Sequence, residues 1–170
     1  ESANHEGNAV GWNMPWSRRS ARLDPMLDDD VIRQALEHRF VRYACLYQQH
    51  EGIGLLQSAR ASTPDLYIRI NGRQGAYVHQ WRLRDSKTAV VEHFAVETEF
   101  VGKGFGLSIA RGLASALRDE FETETIVFSE RAYSEAHERF FKRLGAVPSD
   151  SSQYPGKPDW AWSLATAAAD

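Results

Sequence analysis

Three glycines at alternate positions, Gly102, Gly104 and Gly106, stand between an apolar run ending at Val96 and an amphipathic run beginning at Phe105. A loop stripped of side chains can turn its backbone N–H groups toward one point. At the start of a helix those donors add to the positive end of the helix dipole and form a cradle for phosphate or pyrophosphate. The flanks fit a strand, a loop and a helix in that order. Val91 to Val96 predicts a strand, and Glu97-Thr98-Glu99-Phe100 a connector. Phe105, Ile109, Leu113, Leu117 and Phe121 recur every four residues, the mark of a helix with one buried stripe. The spacing excludes two common phosphate loops. Leu107 stands where the dinucleotide pattern needs its third glycine, and no Gly-Lys-Ser/Thr closes a nucleoside-triphosphate loop. The alternative is a glycine-rich connector that holds no ligand.

A second segment, Arg131 to Ala146, contains Ser134, His137, Phe140, Phe141, Leu144, Gly145 and Ala146. Together the two segments resemble the GNAT acetyltransferases. That family's acyl-coenzyme A loop is usually Arg/Gln-x-x-Gly-x-Gly/Ala, and its late helix Asn-x-x-Ala-x-x-Leu-Tyr-x-x-Leu-Gly-Phe. Gly104 and Gly106 match the loop, while Val101 replaces its Arg or Gln. In the helix Ser134 replaces the Asn, His137 the Ala, Phe141 the Tyr and Ala146 the Phe. The resemblance covers about residues 60 to 165.

The resemblance implies a single α/β domain over residues 25–170, with a mixed, mostly antiparallel sheet flanked by helices on both faces, after an irregular tail at 1–24. It implies acetyl-coenzyme A, or another acyl-coenzyme A, as co-substrate, with no metal. The acceptor would be the amine of a small molecule, peptide or protein. By resemblance the backbone of Phe94, Ala95 and Val96 binds the pantetheine arm. Val101, Gly102, Lys103, Gly104, Phe105 and Gly106 hold the pyrophosphate, and Ser134 joins the cofactor-binding set. Two rivals stand beside this reading. One is a non-catalytic GNAT-like module that binds coenzyme A or a protein, favoured by Val101 and Phe141, each of which removes a polar group the family uses. The other is an acyltransferase with another donor or nucleophile.

Acyl transfer to an amine needs a held thioester, a stabilised carbonyl oxygen and a group that removes a proton from the amine. Glu92 is the candidate base, on the same pleat face as Phe94 and Val96 in one strand running from Thr88 to Val96. The alternative is a strand-edge or solvent-facing glutamate. His93 falls on the opposite face and is read as structural. Phe141 cannot reprotonate a leaving thiolate, so Tyr133, Tyr154 and His137 are the candidate acids. Ser129 ends the next strand, where some family members carry a catalytic Glu, and cannot act as a base unaided.

The bulk properties narrow the alternatives. A chain of 170 residues is expected to form one domain with a proper core. A net charge of −3 without a basic block argues against nucleic-acid binding. No membrane span or signal peptide is visible, so a cytoplasmic location is expected. The chain begins at Glu1 rather than Met, as a processed or excised piece would. Cys45 is the only cysteine and excludes an internal disulfide; its apolar, helical setting predicts a buried, inert thiol. The histidines show no metal-ligand spacing, and no Gly-x-Ser-x-Gly elbow is present. A homodimer is compatible with all of this. Trp12 and Trp16 predict that the tail docks on the domain.

The remaining elements follow from pattern. A helix starting at Asp28 buries Ile32, Leu36, Phe40, Tyr43 and Tyr47, and a short helix lies within 52–61. Strands are predicted at 66–70 and 76–83, the latter with Tyr77, His79, Trp81 and Leu83 toward the core. A strand at 125–128 runs parallel to 88–96, a helix at 134–144 stops at Gly145, and a final strand covers 159–164.

Overall fold

A computed structural model describes residues 27–46, 51–61, 64–149, 152 and 154–165. Trp12, Trp16 and Tyr47 lie outside the described residues, as does the whole tail expectation.

Helix α1 (Asp29–Arg39) begins where expected: the Asp28 carboxylate accepts from the Asp30 amide at 2.8 Å. Ile32, Leu36 and Phe40 are buried along its stripe, but the helix gives way to a 3-10 turn at Phe40–Arg42. The chain then extends into β1 (Ala44–Leu46), a strand the helical periodicity had hidden. Cys45 is therefore a strand residue. It is buried, its thiol lies 3.3 Å from the Tyr67 carbonyl, and burial pushes its pKa up, so the thiol is held protonated.

After α2 (Leu55–Ala59), β2 (Leu66–Ile70) and β3 (Arg73–His79) form a hairpin across Asn71-Gly72. The inward face of β3 is the opposite of the one predicted. Ala76 and Val78 are fully buried, whereas Tyr77 and His79 are only partly covered. Gln80 takes a positive φ of 50°, which ends the strand and resets the alternation, so that Trp81 turns inward although His79 does not. The short β4 (Arg82–Leu83) leaves Leu83 exposed.

The run from Thr88 to Val96 is two strands rather than one. β5 (Thr88–Val91) pairs in parallel with β7 (Thr125–Phe128), and β6 (His93–Val96) pairs antiparallel with β3. The ladder changes partner at Glu92, giving a four-stranded sheet in the order β1-β2-β3-β6 and a five-stranded one in the order β4-β5-β7-β9-β8. β8 (Val147–Ser149), not predicted, and β9 (Asp159–Ser163) complete the second sheet. Residues of β5 are buried on both pleat faces, as a strand covered by helices on both sides must be.

Helix α3 (Phe105–Phe121) supplies Phe105, Ile109, Leu113 and Leu117 to the core, as its period predicts. It packs along α1. Helix α4 (Glu135–Leu144) ends at Gly145 in the left-handed conformation, φ 81°. It buries Phe141 against Phe128 and Trp160. This is a single mixed α/β layer structure, mostly antiparallel, with helices on its two faces. No helix among the described residues is long and apolar enough to cross a membrane.

Candidate active site

The split at Glu92 opens the site. Val91 still pairs beside Phe128, and the Ser129 amide still reaches the Val91 carbonyl at 2.9 Å. One residue later β6 has left β7 for β3. The outer edge of β6 thus faces a gap with α4 on its other side. A cavity of about 520 Å³ fills this gap. Its walls are Phe94, Ala95 and Val96 from β6, Val101, Gly102, Gly104 and Gly106 from the glycine loop, and Phe140 from α4. Arg139 and Arg143 stand at its wall as cations.

The loop is shaped by its glycines. Gly102 and Gly104 have φ of 80° and 83°, and Gly104 is the N-cap of α3. The Arg33 side chain donates to the Lys103 carbonyl at 2.6 Å and ties the loop to α1. Lys103, Phe105 and Ser134 are not among the residues that line the cavity. The Lys103 side chain lies over the Phe100 ring, and the Phe105 side chain is fully buried in the core. Phe105 can therefore offer a ligand only its backbone, whereas the Lys103 side chain is exposed. Ser134 does not line the cavity; its hydroxyl lies 2.9 Å from His137 Nδ1, and His137 does line it. Within β6 the Phe94 amide points away from β3, donating to Glu130 at 3.2 Å. Antiparallel alternation turns Val96 the same way and Ala95 toward β3.

A smaller cavity of about 220 Å³ lies on the other side of the β6–β7 divergence, lined by His79, Gln80, Glu92, His93, Arg131 and Ala132. Glu92 and His93 therefore share a cavity, whereas Phe94 and Val96 line the larger one. The predicted pleat grouping is corrected here, because the change of partner at Glu92 breaks the two-residue alternation. Glu92 is buried, paired with the Arg82 guanidinium, and accepts from the Tyr154 hydroxyl at 3.2 Å. Arg131 in turn donates to that hydroxyl at 3.2 Å and covers the Tyr154 ring. Glu92 and Tyr154, predicted separately, thus meet. Tyr133 does not join them: its hydroxyl donates to Glu138 at 3.1 Å, and burial, then Glu138, pushes its pKa up.

Between the cavities stands Glu130, which sequence reasoning passed over in favour of its neighbour. Ser129 is buried and donates to Asp159 at 2.9 Å. The Glu130 carboxylate, 1% exposed, contacts His93 Nδ1 with one oxygen and lies 3.6 Å from His137 Nε2 with the other. The signal that could have found it is its place just past the carboxyl end of a parallel strand, where diverging strands leave a crevice. No group of three or more His, Cys, Asp or Glu among the described residues could hold a metal ion.

Phe141, at the family's tyrosine position, is fully buried, 4.8 Å from the Phe128 ring, and Phe140 rather than Phe141 lines the larger cavity. Phe141→Tyr is expected to lower stability by about 1–3 kcal/mol, because a hydroxyl is placed in an apolar stack, and to leave turnover no faster. Chemical denaturation and steady-state rates check both halves; a faster, equally stable variant would contradict this placement.

The sequence matches no protein-family model and none of the curated proteins. The structure is similar to solved ones. A GNAT family acetyltransferase from Elizabethkingia anophelis with acetyl-CoA bound shares 14% identity, over 65% of this chain and 82% of that one, with a TM-score of 0.50. An acetyltransferase of the GNAT family from Staphylococcus aureus shares 10% identity over 65% and 72%, with a TM-score of 0.51. A Klebsiella pneumoniae protein assigned as an acyl-CoA N-acyltransferase shares 14% identity over 82% and 92%, with a TM-score of 0.52. At such identities the likeness is one of fold, and it agrees with the architecture derived above.

Proposed function

We propose that this chain of GNAT fold is an acyl-coenzyme A-dependent N-acyltransferase, with acetyl-coenzyme A as donor and an amine as acceptor. One observation carries the reading: a glycine-capped helix start, an open strand edge and two arginines converge on a single cavity of about 520 Å³. The pyrophosphate would meet the N–H groups at the start of α3 and the charges of Arg139 and Arg143. The pantetheine arm would lie along β6, bonding the outward-facing backbone of Val96 as an added strand does. The thioester would then reach the Phe94 end of the strand.

The acceptor would enter the smaller cavity. An amine that arrives as an ammonium ion must lose one proton before it can attack. Glu92, held between Arg82 and Tyr154, is the carboxylate placed to receive it. Glu92→Gln is expected to slow the reaction at least roughly tenfold at neutral pH. The rate should recover in part at high pH, where more of the amine is already neutral. An unchanged pH–rate profile would remove Glu92 from the mechanism.

Calorimetry with acetyl-coenzyme A tests the donor site. Arg139→Ala with Arg143→Ala is expected to weaken binding about tenfold or more at low salt and to flatten its salt dependence, because both charges face the proposed phosphates. Equal affinity in the double variant would detach α4 from the cofactor. Val101 is exposed where the family carries a polar residue, and Phe141 is core. These two departures favour a second reading, a module that binds coenzyme A without turnover. Tight binding combined with no thiol release in the presence of amines would select it.

A further inference from the structure

We propose that His93, Glu130 and His137 form one proton-transfer unit, which carries the proton released by the attacking amine in the small cavity to the departing coenzyme A sulfur in the large one. This rests on the N-acyltransferase reading and adds the groups that move its second proton. His93 lines the small cavity and His137 the large one. Their rings are 6.4 Å apart, and Glu130 stands against both. The wall between acceptor and donor is therefore a carboxylate with an imidazole on each side.

The Glu130 carboxylate is held in place by contacts to both of its oxygens. One oxygen accepts from the Ala132 amide at 3.0 Å and contacts His93 Nδ1. The other accepts from the Phe94 amide at 3.2 Å and faces His137 Nε2. Such a carboxylate fixes the tautomer of the histidine it touches: the His93 proton sits on Nδ1, and Nε2 keeps its lone pair. Tyr77 donates its hydroxyl to that lone pair at 3.1 Å. Burial, then Glu97 and Glu130, push the Tyr77 pKa up, so the phenol stays a donor until an amine takes its place.

His79 of β3 has its ring 5.9 Å from that of His93, and Glu92 and Arg131 share the small cavity. On α4, Ser134 is the second partner of His137. Burial lowers the His137 pKa; Glu130 opposes this, and proximity to His93 adds a smaller lowering. An imidazolium held in that state gives up its proton readily, as an acid facing a thiolate should.

The step balances. The neutral amine attacks the thioester carbon, the N–C bond forms, and collapse of the adduct breaks the C–S bond with the electron pair leaving on sulfur. The proton lost by nitrogen goes to His93 Nε2. The Nδ1 proton of His93 passes to Glu130, which is protonated in transit and passes a proton to His137 Nε2; His137 turns its Nδ1 proton from Ser134 to the sulfur and releases it there, and His93 returns to its starting tautomer by exchange with solvent. The products are an amide and the coenzyme A thiol. Phe141, buried in the core, has no part in this, which answers the absence of the family's tyrosine.

The test uses acetyl-coenzyme A with a panel of small amines that includes methylamine and benzylamine, following thiol release, and coenzyme A binding by calorimetry as the check on folding. His93→Gly and Glu130→Gln should bind coenzyme A within about threefold of the parent and lose about 100-fold or more in kcat. Raising the pH should not restore either, unlike Glu92→Gln, because their proton leaves after attack. Added imidazole should recover at least tenfold in His93→Gly and nothing in Glu130→Gln. His137→Gln should likewise lower kcat with little change in the KM for amine. Parental kcat in His93→Gln or Glu130→Gln overturns the unit, as does loss without imidazole rescue in a His93→Gly that still binds coenzyme A. Binding without turnover of any amine by the parent also overturns it and leaves the binding module. No coenzyme A binding by the parent overturns the N-acyltransferase reading itself.

Discussion

Gly104→Glu is expected to abolish acetyl-coenzyme A binding in practice, weakening it about 100-fold or more, which corresponds to roughly 2.7 kcal/mol. Two effects act together. Gly104 caps α3 with φ of 83°, a conformation that costs an L-residue about 1–2 kcal/mol. The new carboxylate would also occupy the donor end of the helix, where it competes with phosphate for the same N–H groups. An added Cβ meets only the flexible Arg33 side chain, at 3.3 Å from Cδ, which must shift by a few tenths of an ångström and can do so without moving backbone. Gly104→Asn separates the two effects, since asparagine tolerates the left-handed region and carries no charge. It should retain most of the affinity. Calorimetry and thermal melts on both variants check this; a folded Gly104→Glu that binds like the parent would show that the loop does not hold the pyrophosphate.

Gly112→Val is expected to lower stability by about 3 kcal/mol or more, a fall in Tm of roughly 6–12 °C. Gly112 lies mid-helix in α3, where α1 crosses most closely. A Cβ there would run into the Leu36 carbonyl oxygen and come within 3.0 Å of Phe40 Cβ. A flexible side-chain tip could move aside, but a backbone oxygen inside α1 cannot, so the helices must separate and forfeit contacts along Ile32, Leu36 and Phe40. Gly54→Ala is the control. Nothing lies within 4 Å of its added Cβ, and the change should stay within about 1 kcal/mol. Equal melting of Gly112→Val and the parent would mean that α1 and α3 do not pack as described. Because α1 also holds the glycine loop through Arg33, loosening it should weaken coenzyme A binding as well.

The parts of the fold that were legible in the sequence are those set by local periodicity and chain chemistry. The four-residue stripe of α3, the Asp28 cap, the Asn71-Gly72 hairpin and the Gly145 stop each follow from sterics or hydrogen bonding within a few residues. So does the crossover that makes β7 parallel to β5, since a helix must connect them. The errors lie where one local signal met another. The helical spacing of Ile32, Leu36 and Phe40 continues formally to Tyr43, and β1 was lost beneath it. The alternation from Tyr77 to Leu83 is unbroken on paper, but the left-handed turn at Gln80 inverts it.

The candidate site divides in the same way. A glycine loop that can hold phosphate follows from residue type alone, because only glycine gives such a turn without side chains in the way. Which side chains meet across the divergence of β6 and β7 was decided by tertiary structure. His93 and Glu130 are far apart in sequence, and His137 lies on a helix packed against β6 and the end of β7. The change of partner at Glu92 puts Glu92 and His93 in one cavity, against the pleat, and the carboxylate one residue beyond Ser129 becomes the centre of the cluster. A strand break of this kind arises from competition between two sheets for one segment. That competition is a long-range balance of pairing and burial, to which the six residues Val91 to Val96 read in isolation contribute only one side.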